Sequence, residues 1–227
     1  MTTPKRKLII VGDSSFAEVA CEMFDAAGDY EVVGFAVHRR YLRRETLLGR
    51  PVHALEDIER IHPAAETVAF VALAYRELNR ARTRLCAEMK QRGYRLATYV
   101  SPQAFVWRNV AIGENCFIFE GNVLQPFVTV GDNVILWSGN HIGHHTVLDD
   151  NIFIASHVVI SGHVHVGANC FLGVNATVAD TVRIAADNWI GPNALITKDT
   201  APRQVFRTAS TEPSPVDSFR FFKVRSE

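Results

Sequence analysis

From position 100 to position 196 an aliphatic residue returns at every sixth place without a slip, beginning Val100, Val106, Ile112, Ile118, Leu124, Val130 and ending Ile184, Ile190, Ile196. Nothing else in the chain restricts its fold as much. An amphipathic helix repeats at about 3.6 residues and a strand at 2; six is neither. A fixed period of this kind marks short strands stacked as a solenoid, each unit burying its apolar residue against the next. The residue after the aliphatic is often glycine (Gly113, Gly131, Gly143, Gly167, Gly173, Gly191), which lets a chain turn a tight corner. Four places after it stand small or branched residues such as Cys116, Val128, Val134, Val164 and Cys170.

This hexapeptide pattern is that of the left-handed parallel β-helix. In such folds three hexads make one triangular coil of 18 residues, and successive coils lie one strand spacing, about 4.8 Å, apart. The left-handed winding opposes the usual crossover rule and is implied by the resemblance, since a period carries no hand. Residues 18 apart then become spatial neighbours. His144 and Gly162 share one edge on adjacent coils, as do His145 and His163. Tyr99, Phe117, Ile135, Phe153, Phe171 and Trp189 form a column that points outward by strand alternation. Monomers avoid a continuous apolar patch of that size. The reading therefore expects a neighbouring subunit, or the C-terminal tail with Phe219, Phe221 and Phe222, to cover it, and favours the subunit.

The segment before the repeat reads differently. Residues 7–11 and 31–37 are apolar strands, 15–27 is an amphipathic helix stopped by Gly28, a short helix lies near 55–61, and 67–74 is a third buried strand. A helix is expected from Arg76 to Arg92, closed by Gly93, with Leu78, Ala81, Leu85 and Met89 inside. The alternation suggests a Rossmann-like half: a small parallel sheet covered by helices. The expected fold class is thus an α/β Rossmann-like half followed by an all-β left-handed β-helix. The expected domains are 1–98, which would bind a nucleotide sugar, 99–202, the β-helix, and 203–227, a tail. The turn after the first strand, Gly12-Asp13-Ser14-Ser15, offers backbone N–H groups at a helix start, a seat for phosphate. Ser14 or Ser15 equally suits a plain N-cap. No acidic residue ends the second strand, which excludes an NAD-binding site of the usual kind. Arg76, Arg80 and Arg84 make one stripe, either a solvated basic face or a phosphate-attracting edge.

With 24 basic and 24 acidic residues the formal net charge is zero, which argues against nucleic acid or an anionic membrane as the main partner. The apolar runs are too short to span a bilayer. Cys21, Cys86, Cys116 and Cys170 lack metal-binding spacing and read as free thiols in a reducing cytoplasm.

The stretches IIVGDSSFAEV, VAFVALAYRELNRAR, IGHHTVLDDNIFIASHVVISG and FLGVNATV resemble the sialic acid O-acetyltransferase-like family of sugar acyltransferases, which includes N-acetyltransferases for nucleotide-linked 4-amino sugars. The likeness runs from about residue 7 to 203. It implies an acetyl-CoA-dependent N-acetyltransferase of O-antigen-type sugars, acting on the C4 amine and assembled as a homotrimer with acetyl-CoA between two prisms. A sugar O-acetyltransferase or a non-enzymatic trimeric scaffold are the alternatives. His144 falls on the catalytic histidine, and His145 stands where the family has an acidic residue that orients it. Gly162, Gly173 and Phe153 fall beside acetyl-CoA, with the Gly162 N–H near the thioester. Gly12, Ser14, Ser15, Ala74 and Tyr75 fall beside the nucleotide, and His141 beside the substrate. His141 and His157 are reserve bases. No metal is expected: the histidines between 141 and 165 lack the spacing of the zinc ligands in γ-class carbonic anhydrases, which share the β-helix.

Overall fold

The computed structural model describes residues 5–225. The N-terminal half is built on strands β1 (Arg6–Val11), β2 (Tyr30–Val37), β3 (Thr46–Leu47), β4 (Arg50–Ala54) and β5 (Thr67–Val71), in the order β3-β4-β2-β1-β5. All pairs are parallel except β3–β4. Helix α1 (Ser15–Ala27) lays Phe16, Ala20 and Phe24 on the sheet and ends at Gly28, whose left-handed φ of 79° lets its N–H reach Phe24 O. After a short 3₁₀ turn comes helix α2 (Ile58–Ile61). Helix α3 (Arg80–Gln91) begins four residues later than the sequence pattern suggests. Glu77, Leu78 and Asn79 are all left-handed, with φ of 55°, 50° and 68°, and no helix propagates through such a run.

From Tyr99 onward the chain winds as a triangular prism. Two-residue strands fall on three faces. The first carries 99–100, 117–118, 135–136, 153–154, 171–172, 189–190 and 205–206. The second carries 105–106 through 195–196, and the third 111–112 through 183–184. Every pairing within 99–196 is parallel and offset by eighteen, as in Ile135 with Phe153 and Phe153 with Phe171. Strand 205–206 pairs with 189–190 and so lies in the stretch read as the tail. The aliphatics from Ile118 to Ile196 are buried, while Val100, Val106 and Ile112 at the open first coil are not.

The corners follow a second rule of six. The residue three places after each inward aliphatic is left-handed from Asn115 to Asn193. At the corner between the third and first faces these are Asn115, Asn133, Asn151, Asn169 and Asp187; between the first and second they are Gly121, Gly139, His157, Asn175 and Asn193. Glycine and asparagine adopt this conformation at least penalty. The asparagines also bond up the stack, Asn115 Nδ2 to Asn133 Oδ1 at 3.0 Å and Asn133 Nδ2 to Asn151 Oδ1 at 2.8 Å.

The outward column on the first face is covered, though neither by a neighbour nor by the tail. Phe16, Phe24 and Phe70 of the α/β half pack on it, with ring centroids 5.5 Å, 5.9 Å and 5.3 Å from Phe117. Phe117 and Ile135 are fully buried and Phe153 nearly so. The column therefore needs no subunit to cover it: α1 and β5 supply the missing partner from the same chain. The tail stands away, with Phe219, Phe221 and Phe222 each more than two-thirds exposed. Arg82 locks the junction. It is fully buried and donates to Asn133 Oδ1 at 2.7 Å, Ala74 O at 2.6 Å, Leu73 O, Asn133 O and Ile152 O. Burial lowers its pKa to about 10, which leaves it charged at neutral pH. Its carbonyl and amide acceptors solvate that charge without a carboxylate.

Candidate active site

The corner between the second and third faces breaks the asparagine–glycine rule at each left-handed position. Phe127, His145, His163 and Thr181 stand there, with φ of 66°, 59°, 55° and 63°. Histidine tolerates this conformation, but phenylalanine and β-branched threonine hold it only under constraint, and such strain gathers at functional sites. Three of the four form a stack: His145 lies 4.6 Å from Phe127 at 26° and 4.7 Å from His163 at 15°.

His144 precedes the strained position. Its N–H donates to Gln125 Oε1 at 2.9 Å, and its ring stands nearly perpendicular to those of His145 and His163. Its Nδ1 lies 3.1 Å from Nδ1 of His145. Its other edge overhangs Gly162: a Cβ there would come within 2.7 Å of Cε1 and 2.9 Å of Nε2. A side chain at 162 would push the ring off this position. The same point is 3.1 Å from Asp180 Oδ1, so a carboxylate two coils above His144 faces the same gap. Gly162 accepts from Thr181 N, and its own N–H donates to no group among the described residues. An imidazole nitrogen, an unengaged amide and an open edge are the parts that acyl transfer uses.

The ring nitrogens of His144, His145 and His163 offer atoms all within 4.8 Å of one another. A metal needs in-plane lone pairs that converge. The stacked rings of His145 and His163 turn their faces to each other, so chelation by all three requires a ring to rotate.

The other expected residues fall into two further places. Gly12, Asp13 and Ser14 line a hollow of about 280 Å³ with Ala36, Val37, Tyr41 and Arg76. Gly12 has φ +128°, and a Cβ on it would meet Ala72 O at 2.9 Å. Ser14 sits at the N-cap of α1, yet its side chain makes no capping bond there, and its hydroxyl bonds to no group among the described residues. Ser15 is exposed beside it. The arginine stripe is divided: Arg80 pairs with Asp187 and Arg84 with Glu77, each at 2.7 Å, while Arg76 and Arg84 border an adjoining hollow with Arg40. Ala74 and Tyr75 meet Phe153, Phe171 and Gly173 in an apolar hollow at the corner between the first and second faces, where the Tyr75 ring lies 4.9 Å from Phe153. Gly162 and Gly173 thus lie on different corners, and one chain does not join the expected coenzyme residues. His141 is half-buried on the second face between Val123 and Val159, and the His157 ring packs over Gly139. Asp180 escaped the sequence reading. Its spacing of two whole coils from His144 is the signal that could have found it.

Residues 109–144 match the family described as bacterial transferase hexapeptide (six repeats). With that repeat, this prism and this corner, the chain has the build of a hexapeptide-repeat acyltransferase. Among solved structures it is similar to perosamine N-acetyltransferase from Caulobacter crescentus. That histidine-to-asparagine variant, in complex with CoA and GDP-perosamine, is 25% identical, with a TM-score of 0.80 over 88% of this chain and 92% of that one. It is also similar in fold to the acetyltransferase domain of PglB from Neisseria gonorrhoeae in complex with acetyl coenzyme A, at 21% identity, a TM-score of 0.80, and 89% and 96% coverage. No curated protein matches the sequence. No helix among the described residues is long and apolar enough to cross a membrane.

Proposed function

We propose that this chain is an acetyl-CoA-dependent N-acetyltransferase acting on the C4 amine of an amino sugar attached to a nucleoside diphosphate. The observation that carries the reading is the His144 ring edge held over Gly162 at an open corner. The amine nitrogen attacks the thioester carbonyl carbon and a C–N bond forms. Nε2 of neutral His144 accepts the nitrogen's proton. The Gly162 N–H holds the oxyanion. Collapse breaks the C–S bond, and the imidazolium returns the proton to the departing CoA thiolate, with no acyl-enzyme. Asp180, across the gap, draws the substrate's ammonium form inward before it deprotonates. The hollow at Gly12 and Ser14 suits the diphosphate. The perosamine enzyme, 25% identical along most of both chains, supports this pairing of substrates. Four free buried cysteines fit a reducing cytoplasm.

The reading includes a homotrimer. The histidine corner and the Tyr75 hollow lie on different corners of one prism, and closed threefold packing of copies would bring one against the other. The second face also exposes Phe105, Val159 and Leu195 in one column.

A thiol-release assay against UDP-, GDP- and dTDP-linked 4-amino sugars tests the activity. His144→Asn is expected to lose roughly 10²–10⁴-fold in rate while both substrates still bind. Acetylation of a hydroxyl in place of the amine, or no release with any amine, would overturn the proposal. So would a loss under about threefold in His144→Asn while His141→Asn or His157→Asn is inactive.

A further inference from the structure

We propose that His145 is the positioning residue of the His144 base, so that the catalytic unit is a pair of neutral histidines and not a carboxylate–histidine pair. This deepens the acetyl-transfer reading and rests on it. The two Nδ1 atoms are 3.1 Å apart, so one proton lies between them. If His145 Nδ1 donates, His144 is left with its proton on Nε2 and cannot act as a base. If His144 Nδ1 donates, its Nε2 lone pair faces the gap over Gly162. Acetyl transfer selects the second arrangement, with His145 carrying its own proton on Nε2. No other side chain among the described residues is within hydrogen-bond distance of a His144 ring nitrogen, so His145 alone can set the tautomer.

The surroundings hold His145 to this task. Phe127 and His163 clamp its ring from both faces. Its left-handed φ of 59°, a conformation that histidine tolerates better than most residues, brings its ring edge against His144. The strained corner is thereby explained: Phe127 and His163 are where they are because His145 needs walls. A neutral acceptor also differs from a carboxylate in kind. It fixes the tautomer without adding a negative charge beside the base, so it does not favour the imidazolium.

The test combines kinetics with ¹⁵N NMR of labelled histidines. The full-length protein is expected to show His144 protonated on Nδ1 and His145 on Nε2. His145→Gly removes the ring without straining the turn, and there His144 is expected to revert to the Nε2–H tautomer. kcat should fall about tenfold to several-hundredfold with KM for the sugar nucleotide nearly unchanged, since the wrong tautomer disables a base without displacing the substrate. His145→Asp should recover most of kcat and move the acid limb of the pH profile to higher pH, because an anion beside His144 favours its protonated form. An unchanged His144 tautomer in His145→Gly overturns the proposal, and so does an inactive His145→Asp that still binds CoA. The NMR arm needs no turnover. If the tautomers shift as expected but no amine is acetylated, the acetyl-transfer reading fails and the histidine pair stands.

Discussion

At the scale of single residues, the histidine corner carries strained backbone. Thr181 is β-branched and left-handed at φ 63°, a combination that costs on the order of 1–3 kcal/mol. Asparagine occupies the equivalent place at Asn133 and Asn151. Thr181→Asn is therefore expected to raise the midpoint of thermal unfolding by a few degrees, equivalent to roughly 1 kcal/mol, with CD melts as the measurement; a lower midpoint would refute the strain. Much of this corner was legible. Eighteen-residue arithmetic alone sets His144 beside Gly162 and His145 beside His163. What it does not give is the direction of a ring. The Nδ1 contact between adjacent histidines depends on the left-handed φ at 145, and no periodicity of apolar residues announces that. The signal was present in another register: the asparagines and glycines also recur every six, and four of the six exceptions, Phe127, His145, His163 and Thr181, share one column.

Among elements, the sheet of the α/β half carries a pH-sensitive pair. His53 in β4 and His62 after α2 meet edge to face at 5.2 Å, and the Nε2 atom of each has no partner among the described residues. Burial lowers the pKa of both, and their mutual repulsion adds to the shift at His62. The sign follows directly. Above the ordinary value of 6.5 both states are neutral and nothing changes. As pH falls below it, the unfolded chain takes up protons that the folded chain resists, so stability declines toward the folded values. Urea melts at pH 7.5 and 5.5 should show this loss, and His53→Gln should lessen it; an equal loss in the variant would assign it elsewhere. Element boundaries were less legible than element types. The strands at 7–11 and 31–37 and the helix at 15–27 follow from apolar runs and Gly28. The start of α3 does not, because Glu77, Leu78 and Asn79 are ordinary in helices and are held left-handed by tertiary contacts, such as Asn79 Nδ2 to Cys170 O at 3.1 Å. Arg82, in a helix that reads as amphipathic, is buried because backbone carbonyls of the prism await it. A sequence shows the charge and not the acceptors.

For the whole molecule, the proposed trimer needs a surface that could meet another copy. The buried part of the aromatic column is spent on the α/β half, so substitution of Phe117 or Ile135 would loosen the two halves and not the proposed subunit contact. Of the two faces that the α/β half leaves uncovered, the second carries the larger exposed apolar column, Phe105, Val159 and Leu195. Val159→Glu with Leu195→Glu is expected to turn a trimer into a monomer with weakened CoA binding, read by light scattering and calorimetry. A wild-type monomer, or a double variant that remains a trimer, would remove the second face from the assembly. By the same logic residues 1–98 are no detachable module. Taking them away would bare Tyr99, Phe117, Ile135 and Phe153 to water.

The eighteen-residue offset between paired strands has a consequence for how such a chain can change length. The prism counts its sequence in threes of hexads, like a thread cut with three starts. Six extra residues inserted after Asp150 would keep every aliphatic inside, and the thread would still run. Everything downstream would nevertheless be indexed one face onward. Ser156, in place of Gly162, would come to lie above His144, and Phe171 would leave the face that the α/β half grips. A whole turn of eighteen inserted after Ile184 would return every later residue to its own face one pitch higher and leave His144, Gly162 and Asp180 together. Selection acting on this chain can therefore lengthen it only in full turns, because a partial turn keeps the prism's aliphatics inside and yet misplaces both the junction with the α/β half and the proposed site.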